Sequence, residues 1–188
     1  MKSFTQFIQS KVFITDEILQ EVLSKFQEKE YTPHQVVLKR AQIANQYYFI
    51  ISGGLRFFSN KNENEHTAWA FFEGEFITEI SSLASRKPTQ FTIETIDKTR
   101  LLVIERADME TLYARFPVWQ EFGRKIWEDI CIQQIEQNVN YQTLTAEGIY
   151  LKLMENKEFI RKMPIKQLAS ILGITPNALS RIRGNIKK

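Results

Sequence analysis

Between Tyr31 and Glu105 the chain passes through six short β-rich runs with no helical period between them: Val36 to Leu38, Tyr47 to Ile51, Leu55 to Phe58, Thr67 to Phe72, Phe91 to Ile96 and Leu101 to Ile104. β-Branched and aromatic residues fill the runs and turn-forming residues separate them. Gly53-Gly54 stands between two of them, where a positive φ costs glycine little, and this predicts a tight hairpin. The polar stretch from Asn60 to Glu65 predicts a second turn. Strands this short and this closely spaced predict a small antiparallel sandwich or barrel of the jelly-roll kind.

The flanks have a different period. Phe4, Phe7, Ile8 and Val12 recur at helical spacing, and Asp16-Glu17 opens a second such pattern through Ile18, Leu19, Val22, Leu23 and Phe26. After Arg106-Ala107-Asp108 the helical period returns. Pro117 suits the first turn of a long helix, in which Val118, Phe122, Ile126, Ile130, Ile135 and Val139 follow with Trp119 and Trp127 alongside, to about Tyr141. A helix apolar on more than one face must pack against its own domain and against something else. A second copy of the chain is the simplest partner; the alternative is a helix buried wholly within one chain.

At 188 residues, 43% of them hydrophobic and 25% charged, the chain has the composition of one or two globular domains. Its apolar runs fall short of a bilayer, and the start, MKSFTQFIQSKVF, lacks the apolar core of a signal peptide. A cytoplasmic protein without a membrane partner is expected. A single cysteine, Cys131, excludes an internal disulfide framework and a multi-cysteine metal site. It is expected to be a small buried apolar group. His34 and His66 are too few for a structural zinc site without carboxylates and read as surface or strand-end residues, so no metal and no cofactor are expected.

Charge is uneven. Residues 150–188 hold nine basic side chains against two acidic ones, while the whole chain carries a net charge of only +3. A basic end on a mildly acidic body is the electrostatic footprint of nucleic-acid binding.

The same end carries the most specific motif, PIKQLASILGITPNALSRIR at residues 164–183. Ile165 to Leu172 reads as a short amphipathic helix in which Ala169 permits close crossing. Gly173 can end it in the left-handed region, and Ile174 can plug the turn. Thr175 is a good N-cap and Pro176 fits the first position of a second helix. Leu179 and Ile182 face inward, which leaves Asn177, Ser180, Arg181 and Lys187 outside. In a helix-turn-helix the second helix enters the major groove. Arg181 could grip guanine O6 and N7, Asn177 could pair with adenine or meet phosphate, and Thr175 with the helix N-terminus suits phosphate. The alternative is a helical hairpin that only packs.

In this order, with the stretches YYFIISGGLRFF, FFEGEFITEI, IDKTRLLVIERADMETL and LASILGITPNALSRIR, the chain resembles the cAMP receptor protein/Fnr (Crp/Fnr) family of bacterial transcription regulators. The resemblance implies an α+β fold: an N-terminal double-stranded β-helix (a cyclic-nucleotide-binding-like jelly roll) over residues 1–112, a dimerisation helix over 113–143 and a helix-turn-helix domain over 144–188. It implies a homodimer on double-stranded DNA, together with a small-molecule effector if the roll still senses one. Relatives that bind cyclic nucleotide carry a Gly-Glu pair, whose Glu meets the ribose hydroxyl, and an Arg pair whose Arg meets the cyclic phosphate. Here Glu79 keeps the acidic position, Thr78 replaces the Gly, and Thr89-Gln90 replace the Arg pair, with Arg86 or Lys87 nearby. Threonine cannot supply the bidentate cation a cyclic phosphate needs. The effector site is therefore expected at Glu79, Arg86, Thr89 and Gln90, with an effector other than cAMP. The family's β-hairpin wing is expected to be absent or vestigial, with Lys187 and Lys188 taking over its backbone contacts.

Two alternatives remain at this point. One is a cyclic-nucleotide signalling module with little or no DNA binding. The other is an enzyme on a cupin-type roll, which would need a cluster of His and carboxylate ligands that His34 and His66 do not form; no catalytic constellation is visible. The target genes, and activation or repression, are left open.

Overall fold

The computed structural model describes residues 1–61 and 64–186. Helices α1 (Lys2–Lys11) and α2 (Asp16–Ser24) open the chain, and strands β1 (Gln27–Tyr31), β2 (Val36–Leu38), β3 (Gln46–Ser52), β4 (Gly54–Lys61), β5 (Asn64–Phe72) and β6 (Phe76–Ile77) follow. After α3 (Ile80–Ser85) come β7 (Thr92–Thr95) and β8 (Thr99–Glu105). The strands form two antiparallel four-stranded sheets, in the orders β1-β8-β3-β6 and β2-β7-β4-β5, around one core. This is the expected jelly-roll sandwich.

Gly53 does not close a hairpin. β3 and β4 belong to different sheets, and Gly53, at φ +91°, carries the chain from one to the other. A Cβ there would stand 2.7 Å from the Lys98 carbonyl oxygen, so the close approach as well as the φ requires glycine. Alternation along a strand does not say which sheet the strand joins. The hairpin is β4–β5, in register from Leu55↔Phe71 through Phe57↔Trp69 to Lys61↔Asn64; the two residues at its tip lie outside the described residues. β1, QEKEY, has no apolar alternation to betray it. It pairs along β8 and is tied there by Arg100 to Glu28 and Glu30.

Because side chains alternate across a sheet, the second sheet has two distinct faces. Leu55, Phe57, Trp69, Phe71 and Ile93 point into the roll, whereas Arg56, Ala70, Phe72 and Ile96 lie on the outer face. Arg56 is 5% exposed there, held by Glu94 at 3.0 Å, Glu65 at 2.5 Å and the ring of Phe58.

α4 (Arg106–Arg115) leads into α5 (Pro117–Thr143). Trp119, Phe122, Gly123 and Ile126 of α5 are buried against the roll, with Trp119 and Phe122 stacked at 4.3 Å. Beyond Ile130 the helix leaves the roll, and Ile132, Ile135 and Val139 are 55%, 64% and 51% exposed. Cys131 lies on this outer half and is exposed, contrary to the expectation of a buried apolar group. The helix extends beyond its own core there, so its apolar period does not imply burial within the chain.

Four helices complete the described residues: α6 (Ala146–Glu155), α7 (Lys157–Lys162), α8 (Ile165–Ile171) and α9 (Pro176–Ile186). They share a second core, in which Tyr150, Met163, Leu168, Ala169, Leu172 and Leu179 pack with Ala70, Phe72 and Ile96 of the roll.

Candidate effector cavity and DNA-reading helix

The C-terminal motif folds as its residues dictate. Ala169 is fully buried where α8 meets α9, Gly173 takes φ +66°, and Ile174 packs against the second core. Thr175 Oγ1 accepts the Ala178 amide at 3.2 Å, and Pro176 is the first residue of α9. Leu179 is fully buried, while Thr175, Asn177, Ser180 and Arg181 are exposed on the opposite face. These four therefore lie together on the N-terminal half of one helix. Lys187, the fifth expected contact, and Lys188 lie outside the described residues. Arg183, which sequence reasoning did not assign, turns inward, and its Nε donates to Tyr150 Oη at 2.9 Å. It braces α9 against α6.

This helical domain is seated on the outer face of the second sheet. The Phe159 ring meets Phe72 at 5.0 Å, and Lys162, 13% exposed, lies 3.0 Å from Asp97 Oδ2 and donates to the Gly53 carbonyl at 3.2 Å. The Thr67 amide donates to Ser170 Oγ at 2.9 Å, and that hydroxyl lies 3.1 Å from His66 Nδ1. His66 is thus at a domain contact, a role that a lone histidine in a strand does not reveal.

On the inner side, the roll and α5 enclose a cavity of about 480 Å³. Phe7, Phe57, Trp69, Phe71, Phe91 and Trp127 supply much of its wall. Trp69 meets Phe57 and Phe91 edge to face at 6.3 Å and 5.1 Å, a preferred packing of aromatic quadrupoles that fixes the rings in place. Glu79 lines the cavity, whereas Arg86, Thr89 and Gln90 do not. Glu79 is 5% exposed and caps α3: one oxygen accepts from the Ser81 amide and hydroxyl, the other from the Ser82 amide. Arg86 sits at φ +59° at the end of α3 and donates to the Ala44 carbonyl at 3.1 Å. Thr89 is buried in a backbone exchange with Ala41 and Gln42, and Gln90 is exposed. The four expected effector residues are therefore not gathered around one space.

Sequence reasoning missed Glu75, which also lines the cavity. Burial pushes its carboxyl up to about 7, against the opposing pull of the Phe72 amide that donates to it. At the rim, Lys11 Nζ is 2.6 Å from Asp129 Oδ2. Among the described residues no group of three or more His, Cys, Asp and Glu is placed to hold a metal ion, and no helix is long and apolar enough to cross a membrane.

Residues 28–116 match the family described as Cyclic nucleotide-binding domain. Over 127 residues the chain is 28% identical to a Rhodopseudomonas palustris protein that carries the provisional name of a potassium channel protein; the match takes in 68% of this chain and 29% of that one. The chain thus spans less than a third of that relative's length. Among solved structures it is similar to CLP of Xanthomonas campestris, described as a c-di-GMP-responsive global regulator, with a TM-score of 0.67 over 92% of each chain at 14% identity. It is similar too to the catabolite activator protein of Thermus thermophilus, with a TM-score of 0.56 over 93% of this chain and 84% of the other at 18% identity. The match at residues 28–116 and the likeness to these structures show that the chain has the fold of Crp/Fnr-type regulators, with a cyclic nucleotide-binding-type roll at its front.

Proposed function

We propose that the chain is a Crp/Fnr-type transcription regulator, not an enzyme: a cytoplasmic homodimer that reads a roughly palindromic DNA site with α9 and responds, if at all, to an effector other than cAMP. The division into an effector domain at 1–112, a dimerisation helix at 113–143 and a DNA-binding domain at 144–188 goes with this reading. The observation that carries it is the outward face of α9, where Thr175, Asn177, Ser180 and Arg181 stand exposed at the start of a capped helix whose inner face is packed on α8. Backbone contacts would fix the register, and the two long polar side chains would meet base edges. Dimerisation is supported by Ile132, Ile135 and Val139, which recur three and four residues apart on exposed turns of α5, the spacing of a coiled-coil seam. Two-fold pairing along it would set two recognition helices about 34 Å apart.

Selection from a random duplex pool, followed by footprinting, tests the reading. Two half-sites about one helical turn apart are expected, with Arg181→Ala relaxing one base pair per half-site and Lys187→Ala weakening all duplexes alike. A chain that prefers no duplex over random DNA at moderate salt overturns it.

The match at residues 28–116 favours a second reading, a cyclic-nucleotide signalling module with little DNA binding. Calorimetry separates the two: tight binding of a cyclic mononucleotide, lost in Glu79→Ala, would support the module.

A further inference from the structure

The effector cavity has the wrong chemistry for an anion and the right one for a flat apolar molecule. A cyclic nucleotide brings a phosphodiester charge that must be met by a buried cation. Among the described residues no arginine lines the cavity, and its lysine, Lys11, is already paired with Asp129. The remaining ionisable groups of the wall, Glu75 and Glu79, are acidic. Glu79 already accepts three hydrogen bonds in capping α3, so it is committed first to the backbone of that helix. Burial raises the Glu75 carboxyl to about 7, so near neutrality it is partly protonated, which lowers the charge of the wall and lets the carboxyl donate a hydrogen bond.

The apolar side is equally definite. Trp69, Phe71, Phe91, Trp127 and Ile130 are only partly buried although they sit in a concave space, so they hold apolar surface still open to contact. At about 480 Å³ the space falls within the roughly 300–1,000 Å³ of small-molecule sites. Phe57, Trp69, Phe71 and Phe91 form one edge-to-face cluster, and aromatic surface of this kind packs favourably against a further aromatic ring.

We propose that this cavity binds an uncharged, predominantly aromatic small molecule, held by Trp69, Phe71, Phe91 and Trp127 with the Glu75 carboxyl as a polar contact. This deepens the regulator reading and rests on it for what binding controls, though not for binding itself.

N-phenyl-1-naphthylamine, an uncharged two-ring fluorophore, is the probe. Its emission is expected to rise on saturable binding to the full chain, with quenching of tryptophan emission through Trp69 and Trp127. Cyclic AMP is expected neither to displace it nor to bind. Ile80→Trp places a ring at the cavity mouth, at a position 40% exposed and therefore tolerant of bulk, and is expected to weaken the probe about tenfold or more. Val36→Ser, on β2 at a position 47% exposed and outside the cavity, is expected to leave binding unchanged. Displacement by cyclic AMP, or binding undiminished in Ile80→Trp, or binding that disappears in Val36→Ser, overturns the proposal. DNA binding is measured on the same preparations. Failure of the probe with DNA binding intact overturns the ligand class alone; probe binding without any DNA preference upholds the cavity and removes the regulator reading.

Discussion

Phe72 of β5 and Phe159 of α7 meet edge to face, their ring centroids 5.0 Å apart, and this contact seats the helical domain on the roll. The preceding residue, Phe71, points the opposite way and lines the cavity. One strand therefore serves as a wall of the cavity and as part of the floor under the C-terminal helices. Any ligand that shifts β5 acts on both.

Phe159→Ala is expected to loosen this seat without unfolding the roll, whose core lies on the other side of the sheet. The Thr67 amide, which donates to Ser170 across the contact, reports on it directly. A docking loss of about 1.4 kcal/mol would speed its hydrogen exchange roughly tenfold, with β3 and β8 amides unchanged. Uniform acceleration throughout the roll would mean that the seat and the roll open as one unit.

Glu75 makes stability depend on pH. Its folded-state carboxyl titrates near 7, above the ordinary 4.5, so the folded chain holds the proton more tightly than the unfolded chain does. The stabilisation is complete below the ordinary value and is lost as pH rises through the folded one. Between about pH 5 and pH 8 this amounts to a loss on the order of 2–3 kcal/mol. Glu75→Gln keeps an acceptor for the Phe72 amide but does not titrate. Chemical denaturation at the two pH values should show the loss in the native chain and its disappearance in the variant; an equal loss in both would assign it to another group.

Thr175→Ala removes the oxygen that accepts the Ala178 amide. A cost of about 1 kcal/mol in the stability of the C-terminal helices is expected, with little cost for Thr175→Ser. DNA affinity should fall alike on matched and unmatched sites, since the cap places the helix and reads no base. A change confined to one base pair would instead assign Thr175 to direct readout.

Ile135→Asp puts a charge in the middle of the exposed stripe of α5. The residue is 64% exposed in the single chain, so each chain should remain folded with unchanged circular dichroism. Sedimentation should show the dimer dissociating, because a carboxylate in a coiled-coil seam is desolvated without a partner. A variant as dimeric as the native chain would locate the interface elsewhere.

Much of the architecture was legible from period alone. Trp119, Phe122 and Ile126 fall on the buried turns of α5, and the Gly173-Ile174-Thr175-Pro176 run sets the turn, plug and cap of the C-terminal helix pair as its local chemistry requires. What escaped was information carried between segments. Gly53 reads locally as a hairpin glycine, but partner choice among strands sends it between sheets. β1 is polar because its stability comes from ladder bonds and ion pairs with Arg100, which leave no apolar trace. Glu79 occupies the position expected of a ligand-binding acid, yet whether its oxygens are available depends on the α3 backbone that follows it. Glu75, immediately before the FITE stretch, has no sequence signature at all, because its altered titration comes from burial.

β5 is the last strand of its sheet, and its free edge faces the helical domain, where the Thr67 amide finds Ser170. An uncovered strand edge offers a row of unpaired amides and carbonyls to any other chain. The C-terminal helices thus also guard this margin of the roll. Were they to swing away, the margin would need a new cover or the protein would become prone to self-association, so their seating governs colloidal behaviour as well as fold.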